Sequence, residues 1–176
     1  MSIYTNDGLR NNLTPFGNFT SLAVDLQIIM NKIIKNDNIC KLLYYDGPDA
    51  LSRPNLTPEQ KSALIGKNIK VVPTIEKDQD TTNMIIIQFD RFFPNNQDDN
   101  VYIQFTISFD VLCYSKTWVM DDYMLRPYKI MSELNSIFNM SKLRSSGPIN
   151  FAGSTSLLIN ENLVGYTMMY NVYDYR

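Results

Sequence analysis

The chain of 176 residues contains no histidine. That absence removes the side chain that most often serves as acid or base near neutral pH, and the commonest zinc ligand. Carboxylates, lysine and tyrosine remain, and a Ser–Lys pair has no motif here, so no enzyme activity is expected. Cysteine is nearly absent as well. Cys40 and Cys113 stand far apart without a C-x-x-C; they read as buried reduced thiols, with a disulfide as the alternative. Long apolar runs are missing: Met84–Ile87 and Ile28–Met30 are far too short to span a bilayer. The first eighteen residues carry no basic region followed by an apolar stretch, so a cytoplasmic site of synthesis is expected. An excess of basic charge is missing too. The net charge of −2 argues against a dedicated nucleic-acid binder.

What is present suits one folded core. Hydrophobic residues make up 44% of the chain and aromatics 12%, too many for disorder. Residues 1–18 alternate turn formers with isolated hydrophobes and read as a flexible arm; residues 19–176 read as a single domain. Leu22, Leu26, Ile29 and Ile33 predict an amphipathic helix over Ser21–Lys35, capped by Thr20 or Ser21, with a short apolar piece after it over Ile39–Tyr45. Asp46–Pro73 reads as an insertion. Within it, Thr57-Pro58-Glu59-Gln60 is a capping-box helix start and Gly66 a helix stop, with a short strand at Ile69–Val72.

The period then changes to two. Residues 84–93 alternate, and Val101, Ile103, Phe105, Ile107, Phe109, Val111 and Cys113 alternate with polar neighbours, which predicts an antiparallel hairpin. A second helix is predicted over Tyr123–Asn139, preceded by Asp121 or Asp122, with Pro127 in its first turn. Ser145-Ser146-Gly147-Pro148 reads as a break. A last hairpin, Thr155–Ile159 with Leu163–Tyr175, closes the chain. The fold class is therefore α+β: a mainly antiparallel sheet of about four or five strands, with two main helices packed on one face.

Candidate ligand sites are few. Asp98-Asp99 and Asp121-Asp122 lack the spacing and glycine of a calcium loop and read as solvated turn or helix-cap acids. Gly147, Gly153 and Gly165 form no phosphate cradle. No cofactor and no metal are expected. The aromatic residues of the strands are the better candidates. Arg91, Phe92, Phe93, Tyr114, Trp118, Tyr166, Tyr170, Tyr173 and Tyr175 are read as subunit or partner contacts, against the plainer reading of sheet packing. The final strand is also read as open to edge-to-edge pairing with a neighbour.

The stretch Tyr102–Tyr114, the helix Leu125-Arg-Pro-Tyr-Lys-Ile-Met-Ser-Glu-Leu134 and the closing run from Gly165 to Asp174 resemble the tail terminator or tail completion proteins of tailed bacteriophages. The likeness covers about Thr20 to Tyr175, with the Asp46–Pro73 segment longer than the family pattern. The resemblance implies a virion protein of the neck, assembled in the host cytoplasm as a homo-oligomeric ring, a hexamer. Its partners would be itself, the tail tube protein and the head connector or other neck proteins, with no membrane. Gln104, Thr106, Ser108 and Asp110 would then face a channel that DNA traverses without specific binding. The alternatives are another head-closure or baseplate adaptor component, or a small-molecule-binding α+β domain.

Overall fold

A computed structural model describes residues 19–72, 74, 81–94, 102–143 and 146–175. The arm over residues 1–18 and the acidic turn at Asp98-Asp99 lie outside these. Four helices, α1 (Phe19–Lys35), α2 (Asp37–Tyr44), α3 (Pro58–Ala63) and α4 (Arg126–Phe138), accompany five strands. The strands are β1 (Ile69–Lys70), β2 (Met84–Pro94), β3 (Tyr102–Tyr114), β4 (Ser146–Leu158) and β5 (Leu163–Tyr175). They form one sheet in the order β1-β2-β3-β5-β4, antiparallel except for the parallel β1–β2 pair. The expected α+β class holds.

The odd-numbered residues of β3 explain the layering. Phe105, Ile107, Phe109, Val111 and Cys113 are buried against Ile29 and Ile33 of α1, Ile39 and Leu42 of α2, and Ile130, Leu134 and Phe138 of α4. A two-residue repeat meets 3.6-residue repeats, and one apolar core results. Leu56, Leu64 and Ile69 join the same core, so residues 56–69 are packed into the domain. Its capping box forms as the sequence requires: Gln60 N–H donates to Thr57 Oγ1, and Thr57 N–H donates to Gln60 Oε1.

Three expectations change. The apolar piece after α1 is a helix, because Asn36 Oδ1 accepts Ile39 N–H at 2.9 Å and starts α2. The N-cap of α4 is Leu125, without a side-chain bond, and Asp122 instead accepts Met124 N–H and the Lys129 ammonium. The break at Gly147-Pro148 is the beginning of a 13-residue β4. Proline is tolerated there because β4 is an edge strand, where a ladder N–H can be missing. As a result β5 is not an edge: it lies between β3 and β4, hydrogen-bonded on both sides.

Candidate subunit interface

The helix-free face of the sheet carries the even-numbered row of β3. Asp110 sits at its centre, where Thr167 Oγ1–H donates to Oδ1 at 2.6 Å and Gln88 Nε2 donates to Oδ2 at 2.9 Å. Farther along, Thr106 Oγ1 and Asn171 Oδ1 are 3.4 Å apart. Thr106 and Ser108 are only 7% and 8% exposed, shielded as small side chains in a central strand, while Gln104 is half-buried. The four residues expected to face a channel therefore do share one face, yet two of them are nearly covered. At the other end of this face Met84, Ile86, Leu112 and Leu163 form a small apolar cluster with Leu157.

Burial pushes the Asp110 carboxyl above its ordinary 3.8, and the Thr167 hydrogen bond opposes the shift. The folded chain thus holds this proton more tightly than the unfolded chain. The resulting stabilisation is full below pH 3.8 and is lost as pH rises through the raised folded value. Asp110→Asn, which does not ionise, is expected to lack that fall. Urea midpoints of both chains between about pH 3 and about pH 7 check it; parallel curves would refute it.

The tyrosines of β5 divide between the faces. Tyr166 and Tyr170 face the helices, whereas Tyr173, opposite Gln104, lies on the helix-free face. Tyr170 is 0% exposed. Its hydroxyl donates to Asn135 Oδ1 at 3.2 Å and its ring meets Phe109 and Phe151 edge-on. Tyr170 is a core residue, and the reading of it as a surface contact is corrected: alternation places it under α4. Tyr166 is half-buried, its hydroxyl 2.8 Å from that of Tyr128 and its ring 6.4 Å from that of Trp118. Tyr114 is half-buried at the end of β3. Arg91 is exposed with φ 54° at the β2 bulge. Phe92, Phe93 and Tyr175 lie in β2 and β5, with side chains outside the described set.

In the segment between β3 and α4, which also carries Trp118, several large apolar residues are exposed: Val119, Met124 and, at 90%, Tyr123. Across β5 from Val164 and Tyr166 stand Leu158, 71% exposed, and Ser156. Among the described residues nothing covers the second half of β4, on its helix side or at its edge. Interface cores are enriched in aromatics of this kind.

Two polar features are already committed. An open cleft of about 700 Å³ between α2 and β2 is lined by Leu43, Tyr44, Asp46, Lys67, Asn68, Thr81, Thr82 and Asn83. Its buried amides are engaged: Asn68 Nδ2 donates to the carbonyls of Leu43 and Asn83, and Asn83 Oδ1 accepts Tyr114 N–H and the Thr117 hydroxyl. Arg126, fully buried, donates to five main-chain carbonyls, those of Leu42, Tyr45, Asp46, Gly47 and Thr117, at 2.6–3.0 Å. It ties the end of α2 and the following loop to the start of α4. Nothing in the sequence singled out Arg126, because most of its partners lie some 80 positions away.

Cys40 and Cys113 are buried and unpaired with each other. Burial pushes their thiols up, to about 11 and about 12. Among the described residues no helix is long and apolar enough to cross a membrane. Residues 36–172, from the α2 cap to Val172 within β5, match the family model YomW. That family bears the name of a phage gene, so the phage-associated part of the resemblance stands. No curated protein gives a significant match.

Proposed function

The chain belongs to the YomW family, and from that premise we propose that it is a virion structural protein of a tailed phage. In this reading it forms a ring of about six copies at the head-proximal end of the tail. The ring ends growth of the tail tube and offers the head connector a docking surface. The observation that supports subunit binding most directly is the second half of β4, uncovered among the described residues, next to Tyr166 and the exposed Tyr128 bonded to it. Exposed apolar surface next to a strand edge is a feature of proteins that bind other chains. The helix-free face, with its side chains bonded to one another, suits a wall that DNA passes without adhering to.

Light scattering over a concentration series, with and without purified tail tubes, tests the reading. A ring of about six copies is expected once tubes are added. A mass that stays below a ring and does not respond to tubes would overturn it. Binding to isolated connector rings but not to tube ends would move the chain to head closure.

A further inference from the structure

The exposed edge of β4 has a pattern that matches itself. Its first half is already satisfied by the α4–β4 connection. Met140 N–H donates to Ile149 O at 2.7 Å, Ile149 N–H donates to Ser141 O at 2.8 Å, and Phe151 N–H donates to Asn139 Oδ1 at 3.1 Å. These bonds fix which residues turn their main-chain groups away from β5. Ile149 and Phe151 lie opposite Val172 and Tyr170. Every second residue of β5 keeps that phase, and the next three, Met168, Tyr166 and Val164, face Ser154, Ser156 and Leu158. The bulge between Phe151 and Gly153 is absorbed by counting along β5. Ser154, Ser156 and Leu158 thus present N–H and C=O groups outward, and among the described residues no strand pairs with them.

We infer that two copies of the chain pair through this segment, β4 against β4, antiparallel about a two-fold axis at Ser156. In that register every outward group finds a partner. Ser156 faces Ser156, and Ser154 faces Leu158 of the second copy. On the other face Thr155 meets Leu157. Each large side chain stands opposite a small one. Strand β4 contains no ionisable residue, so the two-fold brings no like charges together, whereas protected edges commonly carry lysine for that purpose. An axis normal to the sheet keeps both helix layers on one side. Leu158 and the half-buried Tyr166 of each copy then flank the seam, which adds apolar contact to the main-chain bonds. A two-fold pair uses the same edge twice and leaves none to continue into a ring. It is therefore the form of the chain away from its assembly partners, and it does not depend on the ring reading.

The test is cysteine cross-linking of the full chain. Directly opposed residues of a hydrogen-bonded antiparallel pair have Cα atoms about 5.5 Å apart, within the range of roughly 4.4–6.8 Å that a disulfide spans. Ser156→Cys is expected to give a covalent dimer under mild oxidation. Leu158→Cys, at a more exposed position, is expected to give none, because its two copies lie four residues out of register. The parent chain, with both native thiols buried, supplies the background. Cross-linking of both variants to the same extent, or of neither, overturns the pairing. Ser156→Pro removes the central N–H and is expected to shift the mass from two copies to one, with its circular dichroism unchanged. A ring that persists in Ser156→Pro while Ser156→Cys stays uncross-linked would leave the ring reading standing and remove this one.

Discussion

Replacing Arg126 with methionine is expected to cost at least about 4 kcal/mol of stability. The side chain would keep much of its length, but five main-chain carbonyls would lose their donor, those of Leu42 and Thr117 from fully buried bonds. A buried group left unpaired costs about 1–3 kcal/mol, and several would be stranded together. Two of the carbonyls belong to Leu42 and Tyr45 at the end of α2, where a cation also opposes the negative end of the helix. Burial lowers the Arg126 pKa from its ordinary value, but a guanidinium remains charged throughout the working range. Arg126→Lys should recover only part of the loss, since one ammonium does not reproduce a planar fork of five donors. Given a typical domain stability of about 5–15 kcal/mol, a loss of this size removes between about a quarter and most of the total. Guanidinium denaturation of the three chains measures the effect. A loss below about 1 kcal/mol for Arg126→Met would show that water replaces the guanidinium at little cost.

Gly165→Ala is expected to destabilise by about 3 kcal/mol or more, at the upper end of overpacking effects. A Cβ at this position would lie 1.8 Å from Val111 O and 2.8 Å from Val111 C. Both are main-chain atoms of β3, directly across the β3–β5 ladder, and no rotamer change relieves the clash. The two central strands would have to separate, which also exposes Leu112 and Leu163 on the helix-free face. The same substitution at Gly66, where nothing lies within 4 Å, meets only the strain of a positive φ and should cost less. Paired urea curves for the two variants distinguish steric from conformational cost. Equal losses would refute the close-approach account.

The parts of the fold that the sequence made legible are those governed by nearest neighbours. The capping box at Thr57 and Gln60 forms as written, and the two-residue alternation of β3 fixes both its length and its buried face. The helical stripe of Leu22, Leu26, Ile29 and Ile33 likewise packs inward. Misread elements depend on the sheet's order. Gly147-Pro148 looks like a terminator until β4 is known to be an edge, and only that order shows that β5 is interior. Tyr170 and Tyr166 share a strand face, and whether either is a contact depends on how far α4 reaches across it. Arg126 and Gly165 were illegible for the same reason, since their surroundings come from distant segments. The short helix α2 is different: Asn36-Asp37 ahead of an apolar run is a local signal that had been available.

Trp118 is the chain's only tryptophan, and its placement has an optical consequence. Its indole N–H donates to Cys113 O at 3.2 Å at the end of the central strand, while its ring lies beside Tyr166 at the margin of the exposed aromatic strip. Tryptophan emission, excited selectively over the eleven tyrosines, therefore originates at the one region where a second chain is expected to arrive. Displacement of water there, or loss of the bond to Cys113 on unfolding, would change the colour of that single tryptophan. The protein carries a native, label-free reporter of its own encounters.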